Sequence, residues 1–102
     1  MSSDPLLQPF QLRGLTLRNR LMSTAHEPAY TEDGMPKKRY RLYHAEKAKG
    51  GIALTMIGGS SLVAPDSPQA FGNILLYKDE VVGHLSRLAD AVHEHGDRKS
   101  VV

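Results

Sequence analysis

Hydrophobic and polar positions repeat at two different periods along this chain, and the period sorts it into strands and helices. Residues 52–57, Ile52-Ala53-Leu54-Thr55-Met56-Ile57, are a near-continuous apolar run without alternation, as in a parallel strand buried on both faces. Residues 79–95 carry Val81, Leu85, Leu88, Ala89 and Val92 at helical spacing, with Asp79 and Glu80 in the first turn and His93 and His95 in the last, before Gly96. A second helix is predicted over 36–49, where Pro36 suits the first turn and Gly50 suits a left-handed C-terminal cap. Its ends are better marked than its apolar face. Residues 17–25 read as a strand, and Pro9-Phe10-Gln11-Leu12 and Leu15-Thr16-Leu17 about Arg13-Gly14 read as a hairpin suited to capping the bottom of a barrel.

The connections between these elements are unequal. The helix-to-strand junction is only Gly50-Gly51, whereas the strand-to-helix junctions cover 23–35 and 58–78, far beyond the roughly 2–6 residues usual for such loops. Ligands in α/β proteins sit beyond the carboxyl ends of the strands, so long loops on that face mark a site. Strand, helix, strand, helix is the repeating unit of an α/β barrel or a doubly wound sheet. An all-parallel sheet needs cover on both faces, which two strands cannot provide, so the expectation is a part of something larger, with a third strand due at Val102.

Composition narrows this picture. With 40% hydrophobic and 24% charged residues, the 102-residue chain is ordinary globular material amounting to one domain at most. The longest apolar run is too short to cross a bilayer and the first residues lack the pattern of a signal peptide, so a cytoplasmic location and no membrane association are expected. The absence of cysteine excludes disulfides and thiolate ligation of a metal within this stretch. Net charge is +2, and Lys37, Lys38, Arg39, Arg41, Lys47 and Lys49 lie on one predicted helix. Nucleic-acid binding would need stacking aromatics or a groove-reading motif beside them, and Tyr40 and Tyr43 are the sole candidates; a solvated outer face is the preferred reading, with no nucleic-acid partner.

Candidate chemistry lies at the two strand ends. Gly58-Gly59 follows the buried strand directly, where missing side chains let a ligand approach the backbone, although a plain strand-ending turn fits as well. Ser23-Thr24-Ala25-His26-Glu27 closes the other strand at the same face. Small residues followed by an imidazole suit a flat ligand, while a surface His26-Glu27 pair is the alternative. His44, His84, His93 and His95 read as structural or exposed, and His93 and His95, two apart on a helix, cannot chelate one metal. No H-E-x-x-H, G-x-S-x-G, G-x-G-x-x-G or phosphate-binding loop occurs.

A series of short motifs gives these features a context. Pro9-Phe10, Gly14-Leu15-Thr16-Leu17, Arg18-Asn19-Arg20-Leu21-Met22-Ser23, Ala48-Lys49-Gly50-Gly51 and Leu88-Ala89-Asp90-Ala91-Val92-His93-Glu94-His95-Gly96, in this order, resemble the start of the old yellow enzyme (NADH:flavin oxidoreductase) family. Ser23-Thr24-Ala25-His26 departs from the Ser-Pro-Met of the simple ene-reductases. It resembles the branch of 2,4-dienoyl-CoA reductase, trimethylamine dehydrogenase and the demethylases of N-methylated amino acids. The stretch 25–30, with Ser67-Pro68 and 70–73, is most similar to N-methylproline or dimethylglycine demethylases.

The resemblance implies an α/β fold, the N-terminal portion of a TIM (β/α)8 barrel: two βα units and a leading hairpin, truncated at the third strand. It implies FMN, with Ser23, Thr24, Ala25, His26 and Gly59 at the cofactor and His26 as the catalytic candidate beside the ring. The substrate it implies is a small amine or N-methylated amino acid, oxidatively demethylated. An iron–sulfur cluster and an FAD or ADP site belong, where the family has them, to a C-terminal extension not present here, and an oligomer is allowed. The family's third-strand Gln and phosphate-gripping loops would lie beyond Val102, so the chain alone is expected to be inactive. Two alternatives stand beside this reading, a non-catalytic remnant or interaction module and an ene-reductase or dienoyl-CoA reductase.

Overall fold

The computed structural model describes residues 3–26, 28–58, 61–68 and 72–95. After a single 3-10 turn at Pro5–Leu7, strands β1 (Phe10–Leu12) and β2 (Leu15–Leu17) form the predicted hairpin, antiparallel with Phe10 opposite Leu17. Its turn puts Arg13, not Gly14, in the left-handed region, at φ 52°. Strand β3 (Met22–Ser23) then pairs in parallel with β4 (Leu54–Thr55), Ser23 opposite Thr55. Helices α1 (Lys38–Lys49) and α2 (Val81–His93) follow the two parallel strands and pack on each other. This is the strand-helix-strand-helix order that the periodicities predicted.

The single strand expected over 17–25 is instead divided. Leu17 belongs to the hairpin, and the chain bends through Arg18, Asn19 and Arg20 because two of these side chains reach for backbone carbonyls. Arg18 donates to the carbonyls of Ala48 and Ile52, both at 2.8 Å, and of His95 at 2.9 Å. One guanidinium thereby joins the end of α1, the approach to β4 and the end of α2, and its charge complements two helix C-termini. Asn19 donates to Gly51 O at 2.7 Å and accepts from Leu21 N–H at 3.0 Å. The left-handed residue after α1 is Gly51, at φ 112°; Gly50 remains right-handed, at φ −73°, because its N–H still bonds Glu46 O.

Leu54 and Thr55 point to opposite sides of the strand and both are buried, as the unalternating run predicted. On α2, Val81, Leu88 and Val92 face the core with Met35, Tyr40, Ala48 and Ile74. On α1 the buried positions are Tyr40, His44, Ala45 and Ala48, a helical stripe filled with aromatic and small residues rather than Leu or Ile. That is why the sequence left this helix without a clear apolar face.

The two long loops are locked together. The first contains a two-residue turn, Asp33 at φ 56° and Gly34 at φ 75°, closed by reciprocal 3.0 Å bonds between Glu32 and Met35; Asp-Gly is a dipeptide that favours this geometry. Gly34 O accepts from Leu75 N–H at 2.9 Å, and a Cβ on Gly34 would run into the Leu75 side chain. A Cβ on Gly72, at φ 58°, would stand 2.6 Å from Ala29 Cα.

Candidate functional site

Parallel pairing of β3 with β4 sets their carboxyl ends side by side. Met56 N–H donates to Ser23 O at 3.0 Å, so the backbone leaving β4 runs next to Thr24, Ala25 and His26. Those three residues are exposed, and Thr24 and Ala25 are small. Beside them Gly58 turns away at φ 76°, where a Cβ would lie 3.1 Å from Ser61 Oγ. The result is a low shelf at the strand ends, with the small Thr24 and Ala25 on the β3 side, Met56 and Ile57 on the β4 side, and one imidazole at its rim.

The candidate residues from the sequence distribute as follows. Ser23 closes β3 half-buried; its hydroxyl accepts from Lys47 Nζ at 2.7 Å and its carbonyl from Met56. It contributes small size and placement rather than a free hydroxyl. Thr24, Ala25 and His26 stand at the strand end as expected. Gly59, and Glu27 beside His26, lie outside the described residues.

Behind the shelf, α1 sends two buried side chains to β4. Tyr40, fully buried, accepts from Gly58 N–H at 2.9 Å, and His44 Nδ1 bonds Thr55 Oγ1 at 2.8 Å. Tyr40 and His44 are one turn apart and stack, centroids 5.4 Å apart. Burial, aided by the charge of Lys47, pushes the His44 imidazole down to about 4, so it is neutral at physiological pH. Among the described residues His44 Nε2 has no hydrogen-bond partner. The sequence reading placed His44 as structural or exposed, and it is structural; the connection from Tyr40 to Gly58 escaped it, because only the helix register relative to β4 brings the two together.

The basic helix is not uniformly solvated. Lys47 caps Ser23 and lies 4.4 Å from the Tyr43 ring centroid, while Arg39 covers Tyr30 at 4.0 Å. A shallow groove along this side of α1 includes Tyr30, Arg39, Tyr43 and Lys47 but none of Thr24, Ala25, His26 or Gly58. The shelf, not the groove, adjoins the strand ends where α/β proteins hold ligands. Among the described residues no cluster of His, Asp or Glu could hold a metal, and no helix is long and apolar enough to cross a membrane.

Comparison with known proteins places this geometry. The chain is 60% identical over 96 residues to a probable N-methylproline demethylase of Rhizobium meliloti and 58% identical over 95 residues to a multifunctional alkene reductase/demethylase of Caballeronia cordobensis. It is 46% identical over 100 residues to an N,N-dimethylglycine/sarcosine dehydrogenase of Chromohalobacter salexigens. These alignments cover 93 to 96% of the chain but 14% of each relative's length. Morphinone reductase superposes with a TM-score of 0.79 at 21% identity, over 94% of this chain and 26% of that one. The old yellow enzyme of Trypanosoma cruzi gives 0.72 at 22% identity, over 88% and 24%. The NADH:flavin oxidoreductase / NADH oxidase family profile matches residues 5–101. By profile and fold together, the chain belongs to that family, the old yellow enzymes, and carries part of their (β/α)8 barrel.

Proposed function

We propose that the protein is an FMN-dependent oxidoreductase that oxidatively demethylates or dehydrogenates a small N-methylated amino acid or amine, with the shelf at the ends of β3 and β4 as one edge of the flavin site. The carrying observation is the juxtaposition of Thr24, Ala25 and His26 with the glycine turn at Gly58. The residues present suit the group: the small, exposed Thr24 and Ala25 leave room for a planar ring against the backbone at the end of β3, where larger residues would not. FMN, when bound, supplies hydride acceptance, which no side chain of this chain can.

The chain's own share is placement. Thr24 and Ala25 offer backbone contacts, Ser23 keeps the strand end narrow, and Gly59, next in sequence after Gly58, is assigned to the ring edge by the family resemblance. His26, exposed at the rim, is placed to exchange a proton or hydrogen bond with substrate or flavin. The relatives named for N-methylproline and dimethylglycine support the amine substrate class. A second reading, alkene reduction, is favoured by the 58% identical relative whose name carries both activities.

The test uses the full-length protein. It is expected to purify yellow, and N-methylproline or dimethylglycine should bleach its flavin anaerobically and release formaldehyde with the secondary amine. Bleaching by neither amine, with reoxidation of the reduced enzyme by an activated alkene, would favour the second reading; no flavin binding at all would dispose of both. His26→Ala is expected to impair turnover on the amine while the protein stays folded.

A further inference from the structure

Two side chains on successive turns of α1 are tied to β4, but only one of the ties ends at the shelf. His44 bonds Thr55 inside the strand, whereas Tyr40 bonds the backbone of Gly58, where the chain leaves the strand. Gly58 is buried and bonds a side-chain hydroxyl in place of a neighbouring strand. A buried N–H without an acceptor is costly, so this contact fixes both the position and the direction in which the chain departs. Gly58 is also the residue at φ 76°, and the next one, Gly59, is the residue assigned to the flavin edge.

We propose that Tyr40 is a positioning residue for the flavin: its buried hydroxyl holds Gly58 in the left-handed turn that carries the chain out of the strand at the flavin edge. The proposal rests on the reading of the shelf as a flavin edge. Tyr40 acts through Gly58, from the helix side of the strand. Tyr40→Phe keeps the ring and its stacking on His44 and removes the hydroxyl that accepts from Gly58 N–H. The turn then relaxes toward another partner for its N–H, and the backbone offered to the flavin moves with it.

The comparison that separates positioning from plain stability sets Tyr40→Phe against Thr55→Val in the full-length protein, since each removes one tie between α1 and β4. Measured on the apoproteins titrated with FMN, Tyr40→Phe should raise the dissociation constant about ten-fold and shift the visible flavin band, with both effects absent in Thr55→Val even though its melting temperature falls. Wild-type affinity and spectrum in Tyr40→Phe would overturn the positioning role and leave the flavin reading standing, because the wild type would still bind. Equal flavin changes in both variants would assign the effect to general packing and equally overturn it. Failure of the wild-type apoprotein to bind FMN would overturn the flavin reading and the positioning role together. Where Tyr40→Phe does not fold, Gly58→Ala strains the same turn with Tyr40 intact and should weaken FMN comparably; native affinity in that variant would refute the proposal.

Discussion

His44 is kept neutral by its place between α1 and β4, where it is fully buried beside Tyr40 and near the ammonium of Lys47. Above the ordinary value of 6.5 the folded and unfolded chains both carry an uncharged imidazole, and the residue makes stability no more pH-dependent than any other. Below it, the unfolded chain takes up a proton that the folded chain refuses until about 4. Stability should therefore fall between these limits, by up to about 3 kcal/mol from this residue. Urea unfolding of the full-length protein across this range should show the loss, and His44→Gln should flatten it. An unchanged pH profile in that variant would mean that other groups carry the dependence. Arg13 offers a smaller lesson at the same scale: of the Arg13-Gly14 pair at the hairpin turn, the arginine and not the glycine enters the left-handed region.

Among the elements, α2 and β4 were legible because their signals are carried by aliphatic side chains at regular spacing. Helix α1 was legible at its ends but not on its buried face, where Tyr40, His44, Ala45 and Ala48 look unremarkable until the strand behind them is known. The strand over 17–25 was overextended because its first half consists of side chains that bond backbone carbonyls, a role invisible to periodicity. The Asp33-Gly34 turn was marked by its dipeptide and could have been read. Arg18-Asn19, part of the motif series that carries the family resemblance, thus concerns the joints between elements. Arg18→Ala should lower the stability of the full-length protein by about 2 kcal/mol, with Arg18→Lys recovering part, since an ammonium cannot reproduce the planar fork. Thermal unfolding checks this, and flavin occupancy at low temperature should be unaffected.

For the whole molecule, one edge of the proposed flavin site is present in a chain that spans 14% of the length of the two relatives named as demethylases. A ligand pocket normally buries most of its ligand's surface, so the 102 residues by themselves should bind FMN more weakly than about 100 μM. Quenching of FMN fluorescence on titration with the chain measures this, and stoichiometric yellow protein at micromolar concentration would contradict it. The strand-helix order was readable from the periodicities, and the loop lengths pointed to the face beyond the strand ends; that the two loops on that face fasten to each other was not readable, because the contacts of Gly34 with Leu75 and of Gly72 with Ala29 join distant stretches of sequence. Their fastening constrains how such an enzyme can change its substrate. Grafting either loop alone from a relative would set a foreign surface against glycines fitted to another, so new specificity in this barrel has to be inherited, or engineered, as a matched pair of loops.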